Sequence, residues 1–382
     1  MDLQNVKYLV VGAGFWGAVL AERIATTLRE RVVVIDRRRH IGGNSDSHLD
    51  ATTGIECHSY GTHIFHTNDE KVWSYITRFG EFTRYQHKVL TTYQGRVYNM
   101  PISLSTINSF YNTNLKPNEV ASFMERERER ERECEQAGDV ANLETKAISL
   151  IGRPLYEALI KGYTIKQWNK DPSKLPPEII TRLPVRDNYD NSYFSDYYQG
   201  LPRDGYHALF EKILKPPLIE LHLNCDYYAI KDRIPRSTKI YFSGPIDKFL
   251  NFKFGKLKWR GLRFESEVVA LKDYQGTSVM NYGDLSTPYT RIHEFKHLHP
   301  ERKEIFLQKA SVICKEYSVD CDDGDNAYYP INDQENDALW DRYHQEVSSN
   351  PAFRNITFGG RLGGYRYLNM DQTIATALTL SL

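Results

Sequence analysis

Gly12, Gly14 and Gly17 form a G-x-G-x-x-G run directly after the apolar segment Lys7 to Val11, and Asp36 follows Gly12 by 24 residues. This combination suits a dinucleotide. The first glycine permits a tight turn, the second lets backbone approach a pyrophosphate, and the third lets helix and strand pack closely. The free N–H groups and positive dipole end of the helix that follows would face the phosphates. An acidic side chain ending the next strand accepts from a ribose hydroxyl. The plainer alternative is a tight β-α turn with no ligand.

Those residues need elements to hold them. Lys7 to Val11 reads as a buried strand, Gly12 to Gly17 as a turn, Ala18 to Arg29 as a helix and Val32 to Asp36 as a second strand, which makes a β-α-β unit. From about Asp69 to Lys170 helical spacing dominates, with Val72, Tyr75 and Ile76 and later Leu150, Leu155 and Leu159 at helical intervals. Glu125 to Glu133 alternates Glu and Arg, placing opposite charges three apart and like charges four apart, as on a solvated helix face. Pro172, Pro176, Pro177 and Pro184 rule out continuous helix and mark Asp171 to Pro184 as a loop. Strand-like runs at Ile219 to Leu223, Lys239 to Phe242, Leu262 to Leu271, Gln275 to Tyr282 and Tyr289 to Phe295 suggest a mostly antiparallel sheet. A closing helix is expected over Thr373 to Leu380.

Composition sets limits. The 382 residues suffice for two or three domains, and 49 Lys plus Arg against 49 Asp plus Glu gives no basic excess for a nucleic-acid backbone. Five cysteines (Cys57, Cys134, Cys225, Cys314 and Cys321) without a C-x-x-C pair argue against a zinc site or disulfide framework and for a reducing cytoplasm. No metal is expected. Neither a signal peptide nor a membrane-spanning run is legible at the N-terminus. The 26 tyrosines suit pockets that stack rings and bond hydroxyls or phosphates, although strands use tyrosine too.

The identity of the dinucleotide turns on Ile41-Gly42-Gly43-Asn44, after Asp36-Arg37-Arg38-Arg39-His40. A Gly-Gly pair there resembles the second fingerprint of FAD-binding proteins. NADP is the alternative, with Arg37 to Arg39 neutralising a 2′-phosphate.

Further motifs run through the chain: Gly61-Thr62-His63-Ile64-Phe65-His66-Thr67, Gly162-Tyr163-Thr164-Ile165-Lys166-Gln167-Trp168, Thr181-Arg182-Leu183-Pro184-Val185-Arg186 and Asp190-Asn191-Ser192-Tyr193-Phe194. Gly200-Leu201-Pro202, Ser243-Gly244-Pro245-Ile246-Asp247, Tyr289-Thr290-Arg291-Ile292-His293-Glu294, Tyr328-Tyr329-Pro330 and Gly359 to Asp371 continue the series. In this order they resemble the UDP-galactopyranose mutases over nearly the whole length. The resemblance implies an isomerase that interconverts UDP-galactopyranose and UDP-galactofuranose, with reduced FAD as covalent nucleophile through N5 and no net redox change. It also implies an external reductant, a cytoplasmic homodimer and a role in cell-surface polysaccharide synthesis. The implied fold is α/β: an FAD-binding Rossmann-type domain from discontinuous segments (1–75, 205–250, 355–382), a helical domain (76–170) with a mobile loop around 171–184, and an antiparallel sheet domain (185–204, 251–354).

Site roles follow from the same resemblance. Arg182 and Arg291 match the two arginines that take the diphosphate, a task suited to a planar fork of donors. Tyr329, or Tyr328 beside it, and Tyr367 match tyrosines on that diphosphate. Tyr163, Trp168, Tyr193 and Phe194 match residues around uridine and sugar. His63 matches a histidine beside the flavin, while His66 is expected to be structural. Gly12, Gly14, Phe15, Gly17, Asp36, Arg37, Gly43, Asn44, Thr62, Arg361, Asn369 and Met370 are the remaining expected cofactor contacts. Two positions depart from the family: Asn369 stands where an Asp is common, and Leu159 where a Phe often stacks on uracil. UDP-N-acetylgalactosamine as a further substrate, a flavin oxidoreductase of the amine-oxidase type and an inactive nucleotide-sugar binder are the rival readings.

Overall fold

A computed structural model describes residues 3–132, 142–182, 184–321 and 327–382, apart from the side chains of 130–132, 181 and 182. Glu133, Cys134, Leu183 and the Arg182 side chain, all named above, lie outside the described residues. Two compact units emerge, one of Met1–Tyr85, Asp196–Gly261 and Cys321–Leu382, the other of Gln86–Ser195 and Leu262–Asp320.

The first unit holds the expected β-α-β start as strand Tyr8–Val11, helix Phe15–Arg23 and strand Val32–Ile35. Its five-stranded sheet runs Ile356–Phe358, Lys239–Phe242, Tyr8–Val11, Val32–Ile35 and Ile219–His222, all neighbours parallel. The Val-Val-Val-Ile strand is buried throughout, so it shows no apolar-polar alternation. Two corrections arise here. Ile219–His222 and Lys239–Phe242, read above among antiparallel strands, belong to this parallel sheet, because residue patterning reports burial but not the direction of the neighbour. The first helix stops at Arg23 and continues as one wider turn, Ile24–Leu28, that ends at left-handed Arg29 (φ 54°). There Thr26 Oγ1 donates back to the Glu22 carbonyl at 2.9 Å, a bond that competes with regular helix.

In the second unit the sheet runs Trp259–Val269, Ser311–Cys321, Arg291–Glu294, Val279–Tyr282, Val89–Tyr93 and Arg96–Met100. The first three residues of Trp259–Val269 fall in the first unit, where they pair with Ala327–Pro330. Val279–Tyr282 lies parallel to Val89–Tyr93 and antiparallel to Arg291–Glu294. The hairpin Val89–Met100 interrupts the stretch read as helical, turning at Gln94 and Gly95, both at positive φ (48° and 75°). A two-residue turn of that kind matches strand twist. Helices Leu104–Tyr111, Leu143–Leu155 and Gly162–Trp168 share this unit with the sheet, although sequence patterning places helices and antiparallel strands in separate domains. Leu143, Ala147, Ile151 and Leu155, four apart, are all buried and pack in one cluster with Val89, Tyr98, Met100 and Val279 of the sheet. That shared apolar face is what unites them.

The proline-rich segment forms two short 3-10 turns, Pro172–Lys174 and Pro177–Arg182, and buries Leu175 and Ile180 in the same cluster. Glu125 is half-exposed and pairs with Arg128 at 2.7 Å, consistent with a solvated charged face. Strand Ser311–Cys321 and helix Gln334–Ser349 have no counterpart in the sequence reading. Among the described residues no helix is long and apolar enough to cross a membrane, and Cys57, Cys225, Cys314 and Cys321 are free thiols.

Candidate active site

A cleft of about 240 Å³ opens at the ends of the central parallel strands in the first unit. Gly12 turns the chain at φ 104°, and a Cβ there would stand 2.0 Å from Ser243 Oγ. A Cβ on Gly17 would stand 2.0 Å from the Gly12 carbonyl oxygen, so the helix can approach the turn after the strand only because Gly17 lacks one. Gly14 starts the helix without a side-chain cap, which leaves backbone N–H groups for a ligand. Asp36 is buried, and its carboxylate accepts from Ala13 N and Arg38 N, each at 2.8 Å. About half of its acceptor positions therefore stay available. The glycine cradle, the uncapped helix start and the acidic strand end fit a dinucleotide.

Arg361 lines the same cleft. Its guanidinium donates to the Leu368 carbonyl (2.7 Å) and the Tyr328 carbonyl (3.2 Å) and lies 4.9 Å from the Tyr367 ring centre and 5.9 Å from that of Tyr329. The two rings are 5.2 Å apart. Strand alternation separates the neighbours Tyr328 and Tyr329. Tyr328 is buried and donates its hydroxyl to the Tyr60 carbonyl at 2.6 Å, whereas Tyr329 is half-buried beside Tyr367 and Arg361.

His63 lines the cleft, just ahead of strand Phe65–Thr67. Its Nδ1 sits 2.8 Å from the Gly61 carbonyl, which makes Nδ1 the donor and Nε2 the acceptor of the neutral ring. His66 lies in that strand and pairs with Asp196 at 2.8 Å. Gly12, Gly14, Phe15, Gly17, Asp36, Arg37, Gly43, Asn44 and Met370 line the cleft as well; Thr62 and Asn369 do not. Asn44 Oδ1 accepts from Arg38 at 2.9 Å. Asn369 caps helix Met370–Thr379 in a reciprocal pair with Gln372, a task that Asn and Asp perform equally. Arg38, considered above only for a 2′-phosphate, lines the cleft too, and the sequence reading missed Trp16, Cys225, Asp226, Tyr228 and Lys248 in the lining.

The second unit carries a separate cluster around Arg291, whose Nε lies 3.3 Å from Glu316 Oε1 and whose guanidinium donates to the Tyr163 hydroxyl. His293, two residues along the strand, places Nε2 3.1 Å from the other Glu316 oxygen. Burial would raise the Glu316 carboxyl, but Arg291, His293 and Thr290 outweigh it and hold the group below its ordinary value. The Tyr163 hydroxyl is pushed up to about 12 by burial, against the opposing pull of Arg291, so it stays protonated. Trp168, on the same helix, packs with Tyr193 against the core cluster. Tyr193 and Phe194 surround buried His87, with ring centres 5.5 and 6.0 Å from it. Leu159 is 3% exposed inside that cluster, so it is a core residue rather than a wall open to a base. Glu316 and His87 drew no notice in the sequence, where nothing links them to Arg291 or Tyr193.

Asp273, Glu294 and His297 bring ligand-type atoms within 4.8 Å of one another. The Glu294 carboxylate, however, already accepts from Tyr274 N, Gln275 N and Ser311 Oγ at 2.6–2.9 Å. This is a hydrogen-bonded brace.

The sequence profile described as UDP-galactopyranose mutase matches residues 158–367, more than half of the chain, and one described as an NAD(P)-binding Rossmann-like domain matches residues 10–79. A probable UDP-galactopyranose mutase of Klebsiella pneumoniae is 41% identical over 376 residues, covering 98% of this chain and 94% of its own. The chain belongs to the UDP-galactopyranose mutase family. Another relative, a dTDP-fucopyranose mutase of Escherichia coli, is 38% identical over 376 residues, 97% of this chain and 96% of its own. A crystal structure of reduced UDP-galactopyranose mutase shares the fold at TM-score 0.75 and 15% identity, covering 98% of this chain and 93% of that one. The fold is thus α/β with a Rossmann-type domain, as the motifs imply. Within the UDP-galactopyranose mutase match lie Tyr163, Arg291, Tyr329, Arg361 and Tyr367, the residues around which both clusters are built.

Proposed function

We propose that this chain interconverts UDP-galactopyranose and UDP-galactofuranose, using FAD in its reduced form and without net redox change. The placement of Arg361 carries the reading. One guanidinium lines the dinucleotide cleft and stacks on Tyr367, next to Tyr329, so a cofactor contact and two hydroxyls suited to a diphosphate share a single support.

Reduced FAD, when bound, would supply the nucleophilic N5 nitrogen, which explains why the chain needs no Ser, Cys or carboxylate nucleophile. The chain itself binds and orients. The loop Gly12–Gly17, the helix start and Arg361 would hold the pyrophosphate, Asp36 a ribose hydroxyl, and Met370 the flavin end. His63, whose Nδ1 is held by the Gly61 carbonyl, would stand beside the flavin. Arg291 would draw negative charge from the departing UDP, and the Tyr163 hydroxyl holds that guanidinium in place. Arg182 is assigned as the second cation, with Tyr329 and Tyr367 as diphosphate donors and Trp168, Tyr193 and Phe194 as walls for uridine and sugar. An external reductant, a homodimer and a cytoplasmic location complete the reading.

The test is incubation of purified FAD-loaded protein with UDP-galactofuranose, with and without dithionite, followed by chromatography. Pyranose product with reduced flavin only, or far more of it, is expected. Equal turnover with oxidised flavin would defeat the mechanism. Because a dTDP-fucopyranose mutase is nearly as similar as the UDP-galactose relative, dTDP-fucofuranose and UDP-N-acetylgalactosamine are run in parallel.

A further inference from the structure

Lys166 points its ammonium into a ring of four backbone carbonyls: Tyr282 at 2.5 Å, Tyr289 at 2.9 Å, and Asp284 and Thr287 at 3.0 Å each. An ammonium has three protons, so four acceptors saturate it and leave no capacity for a ligand. Tyr282 ends strand Val279–Tyr282, and the other three carbonyls belong to the connection between it and strand Arg291–Glu294. That connection delivers Arg291. Tyr289 is two residues before it, and Thr290 N, between them, is tied to the Glu316 carbonyl at 2.8 Å.

The same short helix supplies both halves of the arrangement. Gly162–Trp168 carries Tyr163, which receives a hydrogen bond from Arg291, and, three residues on and so on nearly the same face, Lys166. Its start fits flush against the connection, since a Cβ on Gly162 would lie 2.1 Å from the Gly283 oxygen. Its far end is fixed by Ser318 Oγ donating to the Gln167 carbonyl at 2.6 Å. Helix, connection and Arg291 are therefore one braced assembly.

We propose that Lys166 is a positioning residue for Arg291: by gathering the carbonyls of 282–289 it fixes the approach of the strand that presents the guanidinium to a nucleotide diphosphate. This rests on the reading of Arg291 given under Proposed function. A neutral side chain in the ring leaves four carbonyls turned toward one another without a counter-charge, and the connection must open to reach water. Burial lowers the Lys166 pKa to about 8, with Asp284 the nearby charge opposing the fall, so the carbonyl ring holds an ammonium that its dry surroundings disfavour.

The test is a double-mutant cycle on the FAD-loaded protein, with the Kd for UDP read by titration calorimetry and flavin content read by absorbance. Lys166→Met should weaken UDP about tenfold, as a misplaced binding group does, and leave flavin content unchanged. Arg291→Ala should weaken it at least as much, and the double variant no further than Arg291→Ala alone. Additive losses, or an unchanged Kd in Lys166→Met, overturn the positioning role. An unchanged Kd in Arg291→Ala instead overturns the assignment of Arg291, whatever Lys166 does. If Lys166→Met does not fold, the cycle is run with Lys166→Arg, which keeps the charge; a Kd between those of wild type and Arg291→Ala, abolished as a difference in the Arg291→Ala background, supports the proposal, and additivity sinks it.

Discussion

Glu316 lies directly opposite Arg291 in the antiparallel register and holds its Nε at 3.3 Å, while its second oxygen meets buried His293 at 3.1 Å. One enclosed carboxylate thus orients the arginine that the site offers to an anion. Its removal leaves a partly buried cation without its partner, which costs about 3 kcal/mol. Glu316→Gln should lower unfolding stability by that order in urea at pH 7. Burial raises the Glu316 pKa but Arg291, His293 and Thr290 outweigh it, so the folded value is depressed. The contribution is complete above the unfolded-chain value of about 4.3 and is lost as pH falls through the depressed folded value. The gap between wild type and Glu316→Gln should accordingly narrow in acid; a gap that widens would show that the carboxylate is not stabilised by its neighbours.

Tyr328 and Tyr329 offer a sharper contrast, because two adjacent residues of one strand face opposite ways. Tyr328→Phe deletes a buried bond to the Tyr60 carbonyl and should cost about 1 kcal/mol of stability with turnover nearly unchanged. Tyr329→Phe alters a half-buried side chain beside Tyr367 and Arg361; it should cost less stability than Tyr328→Phe and weaken UDP binding. Thermal melts paired with UDP titration on both variants distinguish the two, and the reverse pattern would exchange their roles.

Gly17→Ala should abolish flavin retention. The added Cβ would lie 2.0 Å from the Gly12 oxygen and 2.9 Å from Val10 Cγ1, forcing the helix away from the strand and lifting its N-terminus from the pyrophosphate position. Overpacking of this kind costs about 1–3 kcal/mol. The measurement is FAD per chain after gel filtration, and full retention would mean that the helix start does not bind the cofactor.

What was legible in the sequence follows the distance over which each feature acts. The Gly12 to Asp36 signature is local: its turn and strand end lie where the spacing puts them, while the helix begins at Phe15, three residues before the Ala18 expected, because the glycine turn closes within Gly12 to Gly14. The Arg291–Glu316 pair joins two strands, and no residue spacing announces which acid comes to face which arginine. The hairpin at Gln94-Gly95 was obscured because neighbouring apolar residues also satisfy helical intervals. Asn369 departs from an Asp common in the family, and no residue spacing shows that it caps helix Met370–Thr379, a position that Asn fills as well as Asp. Lys166 stood inside a quoted motif without a role, since a ring of backbone carbonyls leaves no trace in side-chain identities.

Leu159 provides a test of whether burial or family habit governs a position. At 3% exposure it packs with Val89, Leu155, Ile160 and Val279, which leaves a larger ring no open space on that side. Leu159→Phe should therefore destabilise by about 1–3 kcal/mol through overpacking and leave the Kd for UDP unchanged. Leu159→Ala should cost about 2–5 kcal/mol through the cavity it opens. Melting temperature and calorimetric titration on the same preparations separate the two effects. Tighter UDP binding by Leu159→Phe without loss of stability would show instead that this side chain turns to meet the base when nucleotide is bound.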